Sequence, residues 1–359
     1  GYEQLLIAGG GDPSFKCLYL ENTSANLPHA GIYEGGLRRS EFDTWAKGQG
    51  APWAPDEWGL HPNSADPYWE LLQFSEADAG LITVPGLHVT GWYDVNLKGA
   101  IEGFRTLQDH GGVGAAGRQR MVIGPWSHKG GTGEMTFPDA IDSETVLEWE
   151  KAWATDCLHG DTGGLDALPE VLLYVMGSDE ADAPGNTWET FETWPPPSVP
   201  VPLYLRNKER LTTSPPGVGE LGQLFEHEPL SPVGTNGGRN LRIGQGPKDQ
   251  SDIEAREDVA VYTSEPLKDP VTVVGDVSAS VTSWAGWTTV ASIGQVDLDA
   301  TQPNLIQAAF SPELPTIASA TATLQTSLTF DEPVVLPEAS ALGLVPEALV
   351  LAALDAGVT

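Results

Sequence analysis

Two apolar runs end in residues that can move protons. The run "VPGLHVTGWYDVN", residues 84–96, leads to Asp94, and "RQRMVIGPWSH", residues 118–128, closes on His128. A carboxylate that accepts one imidazole N–H leaves the other ring nitrogen free to act as general base toward a hydroxyl nucleophile, then as acid toward the leaving group. Metal ligation is the weaker reading, because no second His or Cys stands near either residue at ligand spacing. Each residue also has a plainer reading when taken alone. An Asp just before a helix caps its first turn, and a His after Gly-Pro-Trp-Ser is an ordinary loop residue.

The elements around the pair decide whether they meet. Residues 83–92 read as a strand, and Leu97, Ala100, Ile101, Phe104 and Leu107 follow at helical spacing, closed by Gly111 and Gly112. The next strand is 120–124. Strand, helix and strand in that order make a βαβ unit with parallel strands, so Asp94 and His128 leave the same edge of one sheet. In open α/β sheets that edge carries the chemistry.

Around this unit, residues 1–20 read as a short helix, a turn and a strand. Residues 21–80 lack alternation, hold Trp45, Trp53, Trp58 and Trp69, and read as an inserted cap whose aromatics wall a pocket. "SETVLEWEKAWATDCLHG", from Ser143 to Gly160, reads as an amphipathic helix. From about residue 168 the chain turns to short strands, "EVLLYVMG", "VPLYLR", "VAVYTSEPL" and "PVTVVGDVSASV", the pattern of a β-sandwich, which sets a domain boundary near 160–170.

The composition narrows the partners. Asp and Glu number 50 against 18 Lys and Arg, for a formal net charge of −32, which argues against a nucleic-acid backbone or an anionic membrane and suits a salt-adapted host. Cys17 and Cys157 make no disulfide framework and read as reduced thiols. The apolar stretch "ALGLVPEALVLAALDAGV" is broken by Pro346, Glu347 and Asp355 and falls short of a membrane span. No signal-peptide pattern opens the sequence; localisation stays unknown, a cytoplasmic setting being favoured, because the true N-terminus is expected upstream. No cofactor or metal is expected.

The stretches "GWYD" and "GPWSH" resemble signatures of the CocE/NonD hydrolase family, relatives of the X-prolyl dipeptidyl aminopeptidases. The similarity runs through "VPGLHVTGWYDVNLKGAIEGFRTL" and "QRMVIGPWSHKG", and on through "LPEVLLYVMGSDE", "TWETFETWPPP", "GPKDQ" and "REDVAVYTSEPLKDPVTVVGDVSASV", over about residues 1–283. It implies a partial α/β-hydrolase core at 1–20 and 81–165, a helical cap at 21–80, and a jelly-roll, galactose-binding-like β-sandwich at 166–283. It also implies a small-molecule ester, amide or peptide as substrate, with Asp94 as triad acid and His128 as triad base. "GIYEGGLRRSEFDTW" is similar to the family's cap, which makes Trp45 a candidate for lining the acyl pocket, against the reading of a Trp that packs the cap onto the sheet. Asn96 stands where cocaine-esterase-like relatives carry an aromatic residue. Glu34, Glu41 and Asp43 are the cap carboxylates that could hold a substrate amine if they are not simply solvated.

The family's nucleophile lies in a G-x-S-Y-x-G elbow, and no G-x-S-x-G occurs in the 359 residues. Gly1, Gln4 and "PSFKCLYL" match the order that follows the elbow, so the expected serine falls two residues before Gly1 and the chain is expected to be a fragment without nucleophile or oxyanion hole. The rival is a non-catalytic binding protein built on the cap and sandwich. Residues 284–359 fit no expected strand of the second domain, and 269–359 contain no Lys or Arg, which reads as a divergent or misassembled tail.

Overall fold

The computed structural model describes residues 1–328 except 35–36, 64–65, 142, 161–162, 179–183, 221–229, 269–270, 276, 284–289, 299–305 and 315–321. Two compact units divide the chain. The first comprises 1–176, 186–194 and 237–248, and the second 177–185, 195–236 and 249–359.

The first unit is built on a five-stranded sheet, with β1 (Leu18–Glu21), β2 (Gly86–Tyr93), β3 (Gln119–Ser127), β4 (Val171–Val175) and β5 (Thr187–Phe191) in that order. β1 to β4 are parallel and β5 is antiparallel. β2 and β3 are buried almost throughout on both faces, as their unbroken apolar runs require in a parallel sheet covered by helices. α1 (Tyr2–Gly9) precedes β1, and α5 (Leu97–His110) joins β2 to β3, burying Leu97, Ala100, Ile101, Phe104 and Leu107. α6 (Glu144–His159) joins β3 to β4 and buries Trp149 beneath the sheet with Leu87, Val89, Val122 and Leu172.

Two expectations are corrected here. "EVLLYVMG" and "TWETF" were placed in the second domain, yet β4 pairs with β3 and β5 with β4, so both extend the first sheet. A short apolar run fits any buried strand, and only the pairing distinguishes sheets. Cys17 and Cys157 are disulfide-bonded with Cα atoms 5.6 Å apart rather than reduced, because β1 and α6 bring positions separated by 140 residues together. In the tail, residues 284–359, where no expected strand of the second domain is recognised from sequence, the structure has β10 (Val290–Leu298), β11 (Ile306–Leu314) and β12 (Ala322–Leu328). Residues 329–359, with the apolar stretch broken at Pro346, lie outside the described residues.

Residues 21–81 form the cap. A π-helical turn Pro28–Ile32 precedes α2 (Ser40–Gly48) and α3 (Ala54–Leu60), and a 3-10 turn Pro67–Leu72 leads to α4 (Glu76–Leu81). Ser75 starts α4 with a reciprocal capping box to Asp78, an arrangement worth about 1 kcal/mol. Trp58 and Trp69 are buried in the cap core with Ile32, Tyr33, Phe42 and Val95. Only Trp45 and Trp53 of the four cap tryptophans are exposed, so half of the expected aromatic wall is core.

The second unit holds β6 (Tyr204–Arg206), β7 (Arg210–Thr212), α7 (Ser251–Glu254), β8 (Ala260–Thr263) and β9 (Val277–Ser283) before the three tail strands. They form a sheet of order β10-β11-β8-β7-β6 and a pair β12-β9. All pairings are antiparallel except β7 with β8. Among the described residues no helix is long and apolar enough to cross a membrane.

Candidate active site

β2 and β3 end side by side, and the parallel register that pairs Val89 with Val122 and Thr90 with Ile123 slips beyond Gly91. A side chain at Gly91 would overlap the carbonyl of Trp126, so glycine is what allows the strand ends to approach here. Asp94 leaves β2 in a turn closed by its N–H donating to the Gly91 carbonyl at 2.9 Å.

The Asp94 carboxylate has no solvent exposure. Oδ1 lies 2.9 Å from His128 Nδ1 and accepts the Asn96 backbone N–H at 2.8 Å, while Oδ2 accepts the Thr90 hydroxyl at 3.3 Å. A carboxylate buried this deeply needs hydrogen-bond donors around it, and these supply them. Thr90 lies four residues upstream on β2, hence on the same face. The capping alternative is met only in part: Asp94 does hold the Asn96 N–H, but α5 has no side-chain cap.

His128 is held at its backbone as well. Its carbonyl accepts the Asn22 side-chain amide at 3.2 Å, and the Asn22 carbonyl accepts the Asn96 side-chain amide at 2.8 Å. Asn22 has φ of 48°, a left-handed conformation that Asn tolerates better than most residues. The ends of β1, β2 and β3 are thereby tied together. The bond from Asp94 raises the His128 pKa above its ordinary value, opposed by partial burial and by the nearby charge of Lys129. An imidazole so placed can accept a proton on Nε2 while Asp94 stabilises the resulting cation.

Gly1, the N-terminal neighbour of α1, packs on the residue after Asn22. A Cβ at Gly1 would overlap the Thr23 hydroxyl. The start of α1 therefore abuts the same edge as the acid and the histidine, with a glycine where nothing larger fits.

Other candidates distribute differently. Trp45 sits on α2, 45% exposed, with its ring edge-on to Phe42 at 6.4 Å, so it is not a Trp buried between cap and sheet. Glu34 pairs with Arg39 and Arg239, both at 2.7 Å, Glu41 pairs with Arg39, and Asp43 with Arg38 at 2.9 Å. These three carboxylates are neither solvated nor unpartnered. Among the described residues no cluster of three or more His, Cys, Asp or Glu could hold a metal.

The sequence reading gives the segment 237–248, whose end falls in "GPKDQ", to the second domain. It belongs to the first unit and crosses from the cap to the histidine loop. The Leu241 N–H donates to Glu41 at 2.7 Å and the Arg242 guanidinium to the Thr44 hydroxyl at 3.2 Å. Further on, Gln245 accepts the Ser127 hydroxyl at 2.9 Å, and Pro247 accepts the Glu134 N–H at 2.9 Å. Its Gly and Asn turns carry no periodicity that would have marked it.

A mostly parallel sheet with an Asp–His pair at its carboxyl edge and a cap before the acid strand defines an α/β-hydrolase-type domain. Comparison with known proteins is more specific. The X-Pro dipeptidyl-peptidase (S15 family) profile matches residues 43–130, which include Asp94 and His128, and the profile of the X-Pro dipeptidyl-peptidase C-terminal non-catalytic domain matches residues 163–283. Cocaine esterase of Rhodococcus sp. (strain MB1 Bresler) is 33% identical over 248 residues, covering 64% of this chain and 40% of the esterase. An aminopeptidase from a marine sediment Thaumarchaeota archaeon superposes with TM-score 0.67 at 16% identity, over 92% of this chain and 65% of its own. A CocE/NonD family hydrolase from Staphylococcus aureus gives TM-score 0.58 at 13% identity, over 92% of this chain and 59% of its own. The chain is thus similar to S15-family and CocE/NonD hydrolases over both matched stretches. It spans less than half the length of the esterase it matches.

Proposed function

We propose that Asp94 and His128 are the acid and base of a serine hydrolase that cleaves ester or amide bonds through an acyl-enzyme. The observation that carries this reading is the 2.9 Å contact between His128 Nδ1 and a fully buried Asp94 at the shared strand edge. The family relationship and the position of both residues inside the S15 match support it.

The nucleophile in this proposal is a serine two residues before Gly1. No G-x-S-x-G lies within the chain, and the packing of Gly1 on Thr23 suits the last glycine of a tight strand-to-helix elbow. His128 Nε2 takes the serine proton as the oxygen attacks the acyl carbon, and Asp94 stabilises the imidazolium. The proton then passes to the leaving alcohol or amine as the acyl–oxygen or acyl–nitrogen bond breaks. Water, deprotonated by the same nitrogen, releases the acid and restores the serine. Trp45 lines the acyl side from the cap, residues 21–80 serve as the lid of the site, and the second unit is the jelly-roll partner domain. The residues 1–359 alone, without that serine and its oxyanion hole, are inactive in this reading.

Fluorophosphonate labelling of the protein as its host makes it, with mass spectrometry to locate the adduct, tests the assignment. An adduct on that serine is expected. An adduct on another residue, or none on folded and otherwise active protein, overturns it.

A further inference from the structure

The segment 237–248 and the loop around His128 border an open pocket of about 440 Å³, a size suited to a small molecule. Both chain neighbours of His128, Ser127 and Lys129, line it, so it opens beside the histidine. Its lining also includes Arg242 and Lys248, and no carboxylate. In a chain with 50 acidic and 18 basic residues, three cations lining one pocket run against the composition, although Lys248 is paired with a carboxylate outside the lining. Thr132 and Gln245 add polar groups, and Lys248 is oriented by Glu134 at 3.2 Å.

Long-range repulsion from a net charge of −32 would keep anions away from this protein, so any anion it binds needs a local concentration of positive charge. Arg242 offers a planar fork suited to a carboxylate and is steadied by the Thr44 hydroxyl. Lys129, from the histidine loop, contributes a compact charge to the same lining.

We propose that this pocket binds a carboxylate or a comparable small anion through Lys129, Arg242 and Lys248, and that its natural occupant is the acidic end of the substrate. The substrate half of the proposal rests on the hydrolase reading; the anion site itself does not.

Calorimetric titration of succinate into the 359-residue chain, at constant ionic strength, tests the site without needing turnover. Saturable binding is expected, weakened roughly tenfold by Arg242→Gln and by Lys129→Gln, with circular dichroism confirming that both variants fold. Neutral succinamide should not compete. No saturable binding, or equal binding in folded variants, overturns the site. In protein that carries the nucleophile, the ratio of kcat/KM for a succinate monoester to that for a butyrate ester should fall roughly tenfold in Arg242→Gln. An unchanged ratio with succinate binding intact overturns the substrate half and assigns the pocket to a free anion. Absence of all turnover with succinate binding intact would sink the hydrolase reading and leave the anion site standing.

Discussion

The first unit contains two Asp–His pairs with the same 2.9 Å separation. His128 and Asp94 meet at the sheet edge, and His61 and Asp66 meet in the cap. Their surroundings differ. Asp94 is fully buried and takes bonds from Thr90 and Asn96, whereas the Asp66 side chain is one-third exposed and also caps Tyr68. His61 stacks on Tyr68 with centroids 4.1 Å apart, and its second nitrogen lies 3.8 Å from Glu57. A histidine between two carboxylates and a ring is a fastener for the cap; Asp–His geometry alone does not define a catalytic pair. A third histidine extends the contrast. His88 lies on β2, the strand that leads to Asp94, but meets the Gln119 amide at 3.1 Å, and burial pushes its pKa down to about 4.

The largest test of this contrast is functional. In protein carrying the nucleophile, His128→Ala should lower turnover by at least ~10⁴, while His61→Ala should stay within roughly twofold if the variant remains folded. Comparable losses in both would erase the distinction. Asp94→Asn follows, with a loss of ~10³–10⁴ in kcat as the tautomer and the imidazolium lose their partner.

Stability against pH separates His88 from His128. Its folded pKa of about 4 lies below the ordinary 6.5, so the unfolded chain takes up the extra proton. Stability should therefore fall by about 3 kcal/mol between pH 6.5 and 4 from this group. Urea midpoints at the two pH values check it, and His88→Asn should flatten the slope. His128 has the opposite sign. Its raised pKa gives stability that is complete below 6.5 and is lost as pH rises through the folded value. Asp94→Asn should move its NMR titration midpoint downward, and no movement would mean that Asp94 does not set it. The smallest effect is expected for Asp66→Asn, which should lower the Tm by no more than a few degrees.

Much of the strand edge that carries Asp94 and His128 was legible because it follows from chain order. A strand, an amphipathic helix and a second strand must place Asp94 and His128 on one edge, and the helix carries its apolar residues at the spacing that buries them. What supports the pair was less visible. Asn22 acts through a left-handed backbone and a carbonyl that no side-chain pattern announces, and Thr90 could be read only after the face of β2 was known. The strand at Val171 was recognised but given to the other domain, since four apolar residues do not name their neighbours. The segment 237–248 was likewise given to the second domain, because turns dense in Gly and Asn show where a chain bends and not where it returns. The cysteines were misread for a related reason: separation along the chain carries no information about adjacency of β1 and α6.

That disulfide has a topological consequence. It closes a covalent ring from Cys17 to Cys157, and Asp94, His128, Trp45 and the whole cap lie inside it. A protease that cuts an exposed cap loop would leave the fragments joined and the acid still tethered to the base. Limited digestion should then give a single band without reductant and two with it, so the ring permits the cap to be opened without dispersing the site.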